Sequence, residues 1–218
     1  MGLLASRRQT AMTGSNNSSS IRVLAYLMIA AVLVFIGVCT AAQFWRTDLN
    51  WITTPLSTYF FGAGGVYVRS AYYLMAIALL GFAWACYAVT AQAYRSALAS
   101  YLFMAAGVAL PVVAASELLR GTVYENLGRL LHQLTAPATF LWLSFGMLLL
   151  SSRWRRDPHM KKGSRLGILL AWAATFVLWL QVLVPGLPNG LWEKLAIVLI
   201  LLWLGWAALH LLRTARKS

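Results

Sequence analysis

Five acidic residues, three histidines and two cysteines are all that 218 residues offer for acid–base, metal or thiol chemistry. Two of these groups fall where they could act together. Glu117 lies at the end of one apolar run and His132 near the start of the next, with the short connection "RGTVYENLGR" between them. A tight antiparallel hairpin brings both to one depth, a turn or so inside one surface. A carboxylate beside an imidazole can move a proton, bind a polar headgroup or help hold a divalent metal. His132, Thr135 and Thr139, spaced i, i+3, i+7, share a helical face, and Pro137 frees a carbonyl close by. Neighbouring segments can add Asp48, Ser57, Tyr72 and Glu193. Glu193 sits in "PNGLWEKL", where Asn189 can cap a helix and the first turn favours a carboxylate. The plainer reading is that His132 bonds Glu117 to lock the hairpin and that Glu193 is a helix cap.

A metal needs three or four converging ligands at about 2 Å. His159 lies beside Asp157 in a basic stretch, and His210 lies most of a bilayer away from His132, so neither can share an ion with it. No metal and no cofactor is expected. HExxH, GxSxG, P-loop and CxxC motifs are missing from the sequence. Cys39 and Cys86 fall at different depths and read as packing residues rather than a disulfide.

The elements that must position these groups are apolar. Hydrophobic residues make up 61% and charged residues 11%, against about 25% charged in a soluble domain. Six apolar runs, roughly 22–44, 70–92, 97–119, 127–150, 165–184 and 191–212, are about the length needed to cross a hydrocarbon core. In lipid each must satisfy its own backbone, so each is a helix, and the alternation of a barrel strand is missing. The expected fold is an all-α polytopic bundle of six transmembrane helices. A polar, disordered tail is expected over 1–20, the transmembrane domain over 21–213 and a basic tail over 214–218. "MGLLAS", "SRR" and "IGVC" are short matches to processing signals, and the first helix reads as retained.

The net charge of +13 is distributed by side. With both termini cytoplasmic, only Arg46, Arg69, Arg120, Arg129 and Lys194 of the 18 Lys and Arg fall outside, and four of the five acids accompany them. This is the positive-inside pattern. It predicts a multi-pass membrane protein with anionic lipid heads drawn to the cytoplasmic loop 153–165. Membrane lipids are the expected partners. Nucleic acid is not, and a homo-oligomer is compatible with the sequence.

Every helix places at least one polar group in its outer half, whereas the inner half is poor in them. Polar groups in lipid face a bundle interior or a wet cavity, so a pocket opening outward above a dry inner half is expected. The stretch "DLNWITTPLSTYFFGAGGVYVRS" (48–70) joins the first two helices. Pro55, Gly62, Gly64 and Gly65 break it, and its apolar middle should lie on the surface or dip into the bundle mouth.

Three patches, "PLSTYFFGAGGVY", "GRLLHQLTA" and "GLWEKLAIVLILLW", resemble a bacterial six-span membrane family, domain of unknown function 998, across roughly residues 22–212. The resemblance implies a polytopic inner-membrane protein in which Ser57, His132 and Glu193 stand at recurring positions. It implies no reaction. The residues favour a membrane protein whose outward polar pocket binds a small or lipid-like ligand. The alternatives are an accessory subunit with its polar groups used in helix contacts, and a membrane enzyme acting on lipid or envelope precursors.

Overall fold

The computed structural model describes residues 18–215. Nearly all of the tail expected over 1–20, and the last three residues of the basic tail, lie outside them. Six helices follow one another: α1 (Gly2–Trp45), α2 (Gly65–Val89), α3 (Ala97–Ser116), α4 (Glu125–Arg156), α5 (Ser164–Leu183) and α6 (Asn189–Ala215). All six are long and apolar enough to cross a membrane, α1 through its segment Ser18–Trp45. Short 3-10 turns at Leu56–Phe60, Gln92–Tyr94 and Glu117–Leu119 punctuate the connections, and no strand occurs among the described residues.

Helix boundaries follow local chemistry. α2 runs from 65 to 89 rather than 70 to 92. Gly62 and Gly64 adopt positive φ (73° and 77°), which only glycine takes without strain, so the chain can turn early into the helix. At the far end Thr90 is extended, and its hydroxyl donates back to the Cys86 carbonyl at 2.6 Å. Ser96 caps α3 by accepting the Ala99 N–H at 3.2 Å.

Each helix packs against its neighbours in sequence, and α1 closes the ring against α6. We call the end carrying residues 46–64 the upper end. The ring is sealed across its middle by aromatic packing. Phe103 stacks on Trp203 with ring centroids 5.6 Å apart, and Phe82 meets both edge-on, an arrangement worth more than area alone. Below this layer Trp154, Trp206 and His210 fill the lower half.

The lower loops are built into the fold. Asp157 is fully buried. It accepts the Ala91 N–H at 2.8 Å and the His159 N–H at 2.9 Å, tying the α2–α3 and α4–α5 connections together. His210 bonds the Met160 carbonyl at 2.8 Å. The one acid of the basic stretch thus serves the fold, while Arg155, Lys161 and Lys162 stay exposed.

Candidate functional site

The 46–64 segment dips into the bundle mouth. Leu56, Tyr59 and Phe60 of its 3-10 turn are buried. Their backbone is held from three sides. Arg46 donates to the Phe61 carbonyl and Arg69 to the Phe60 carbonyl. Lys194 donates to the Trp51 and Thr54 carbonyls, both at 2.7 Å. The Leu191 N–H reaches the Ile52 carbonyl at 2.8 Å. Glu193 accepts the Leu56 N–H at 3.1 Å. The carboxylate expected to cap its own helix therefore caps a turn 137 residues away. Gly190 permits this docking, because a Cβ there would lie 2.7 Å from the Thr54 backbone carbon and nitrogen.

Glu117 and His132 meet as the hairpin requires. A Cβ on Gly128 would come 2.5 Å from the Ser116 carbonyl and 2.9 Å from the Leu119 Cβ, so glycine lets α4 start hard against the end of α3. His132 lies one turn further on the same face. Its Nδ1 is 3.3 Å from a Glu117 oxygen and 3.4 Å from the Ser116 hydroxyl. In the neutral ring, donation from Nδ1 to the carboxylate leaves Nε2 as the acceptor. Beside this pair is a shallow polar recess lined by Ser116, Glu117, Arg120, Glu125, Arg129 and His132. Within it Arg129 pairs with Glu125 at 3.1 Å, and the Arg120 guanidinium lies over the Phe61 ring at 5.1 Å.

His132 also faces a second space. A cavity of about 110 Å³ lies in the upper half of the ring. Ser57, Tyr72, His132, Thr139 and Glu193 contribute its polar lining, and Leu79, Leu110, Leu143, Ile200 and Leu204 are among its apolar walls. On α4 the lining residues His132, Ala136, Thr139 and Leu143 follow the helical repeat, as do Glu193, Ile197, Ile200 and Leu204 on α6. A lipid-facing groove between α1 and α6, carrying Cys39, Gln43 and Lys194, shares Phe35, Ile197 and Leu201 with the cavity. These three side chains border both groove and cavity.

Of the residues singled out from the sequence, Ser57, Tyr72, His132 and Glu193 line the cavity together, and Glu117 touches it only through His132. Thr135 does not line it. It sits about 60° round α4 from His132, on the other side of it from Ala136, and donates its hydroxyl to the Leu131 carbonyl at 2.7 Å. Asp48 is also elsewhere. It pairs with Arg46 at 2.8 Å at the exposed rim, and that guanidinium holds its carboxyl below the usual range. The roles of Leu56 and Gly190 escaped the sequence reading, since nothing local marks a contact across 137 positions.

Among the described residues no group of three or more His, Cys, Asp or Glu is placed to hold a metal ion. No curated protein and no solved structure matches the chain significantly. The family described as "Protein of unknown function (DUF998)" matches residues 29–210. With six membrane-capable helices and a match over that length, the chain is a multi-pass membrane protein and belongs to the DUF998 family.

Proposed function

We propose that the protein binds a single-chain amphiphile in the upper cavity. Its head sits among Ser57, His132 and Glu193. Its first methylenes lie against Leu79, Leu143 and Leu204, and the rest of the chain leaves between α1 and α6. One observation carries this reading: a cavity with apolar walls and polar groups grouped on Ser57, His132 and Glu193 borders a lipid-facing groove at Phe35, Ile197 and Leu201. Size supports the exit. A cavity of about 150 Å³ holds benzene, so about 110 Å³ takes a short stretch of chain and not a whole one.

Filling the space should separate this reading from that of an accessory subunit. Ala136 lines the cavity and is only partly buried. Ala136→Phe is expected to lower the amphiphile retained by purified protein, read by native mass spectrometry, about tenfold, a loss of about 1.4 kcal/mol. Equal retention by both proteins, or none by the unsubstituted protein, contradicts the proposal.

Hydrolysis of an amphiphile ester is a second reading. A carboxylate behind an imidazole is the arrangement that orients a general base, and the Glu117–His132 contact of 3.3 Å supplies it. Release of free acid from a bound ester, lost in Glu117→Gln, would favour it.

Charge supports an orientation with the upper end outside and the loop 153–165 inside, as in a bacterial cytoplasmic membrane. Each base near an anionic leaflet adds about 1 kcal/mol of attraction. Thr53 and Lys162 are exposed at opposite ends. An impermeant thiol reagent applied to intact cells should label Thr53→Cys and spare Lys162→Cys. The reverse pattern overturns the orientation.

A further inference from the structure

We infer that the head of the bound amphiphile is a hydrogen-bond donor without negative charge, an alcohol or a primary amine, and not a phosphate or carboxylate. This rests on the binding reading above and names the ligand class of that same cavity.

The argument is a balance of donors and acceptors. No lysine or arginine lines the cavity. The nearby bases each have a partner in the protein. Lys194 donates to the Trp51 and Thr54 carbonyls and lies over the Tyr59 ring at 5.5 Å. Arg46 is held by Asp48 and the Phe61 carbonyl, and Arg69 by the Phe60 carbonyl. Arg129 is paired with Glu125, and Arg120 covers Phe61.

The cavity's free capacity is on the acceptor side. Glu193 gives one oxygen to the Leu56 N–H, and its other oxygen has no protein partner among the described residues. In its neutral form His132 has Nδ1 turned to Glu117 and Ser116, which leaves the Nε2 lone pair without a protein partner. Thr139 has its proton committed to the Thr135 carbonyl at 2.7 Å. Ser57 and Tyr72 can each give or take. An alcohol or ammonium head supplies the missing protons. A phosphate would set its negative charge against an ionised Glu193, where the low dielectric strengthens repulsion, and Lys194 beside it is already bonded to the Trp51 and Thr54 carbonyls.

The test uses the full chain in nanodiscs and three amphiphiles of one chain length: dodecanol, dodecylamine and dodecyl phosphate. Binding is read by native mass spectrometry. The alcohol or the amine is expected to bind at least about tenfold more tightly than the phosphate. Glu193→Gln retains an oxygen for the Leu56 N–H, so it tests charge with the turn still capped. Loss of amine binding in that variant with alcohol binding kept assigns an ammonium head, and loss of neither assigns an alcohol. Phosphate binding equal to or tighter than both overturns the inference and leaves the proposed function standing. Binding of none of the three overturns the proposed function itself.

Discussion

Gly190→Ala is expected to undock the 46–64 segment and cost about 3 kcal/mol or more, the upper range for forcing atoms into a filled site. The new methyl meets the Thr54 backbone, with carbon and nitrogen both at 2.7 Å. Backbone cannot swing aside as a side chain can. Either α6 shifts or the segment lifts, and lifting breaks the bonds from Leu191 and Lys194 and the Glu193 cap on Leu56 together. Leu56, Tyr59 and Phe60 would lose their burial. The control is Gly37, on the exposed face of α1, where a Cβ meets nothing within 4 Å. There the same substitution should be neutral or stabilise by up to about 1 kcal/mol through helix propensity. Thermal unfolding in detergent and proteolysis within 46–64 measure both. Equal stability of the Gly190 and Gly37 variants would show that the segment is not docked this way.

Glu117 and His132 should prove coupled. Replacing either alone by Gln strands the other, at about 1–3 kcal/mol for a buried polar group. Both side chains are about one-fifth exposed, so solvent screening places the cost in the lower half of that range. The double variant should lose less than the sum of the singles, because neighbours in contact are not additive. Amphiphile retention then separates two roles. A staple predicts that the double variant regains both stability and retention. A binding group predicts that it regains stability and retains nothing. Additive losses of stability would mean that the pair does not meet.

Six helices were legible because lipid leaves a chain little choice: a run of about 20 apolar residues must close its own hydrogen bonds. The Glu117–His132 meeting was legible for a local reason, a connection too short to let the two helix ends part. The docking of the 46–64 segment was legible only as an alternative. Its apolar middle said that it should be covered, but the cover is α6, and the contact depends on one missing side chain at Gly190. The meeting of Glu193 with Leu56 could not be read at all, since no spacing rule links positions 137 apart. Thr135 shows the limit of pattern. An i+3 neighbour shares a face with His132 only within about 60°, and the cavity takes the side turned towards Ala136 and Phe140.

The central claim is that an amphiphile lies with its head at His132 and Glu193 and its chain passing Phe35. Photocrosslinking tests it most directly, with a single-chain alcohol or amine carrying a diazirine in its first methylenes, irradiated in nanodiscs with the full chain. The account predicts adducts on α4 between 132 and 143 and on α6 between 193 and 204, and their loss in Ala136→Phe. Adducts spread over the outward face of α5, at Leu169, Trp172 and Phe176, and unchanged by that substitution, would contradict it.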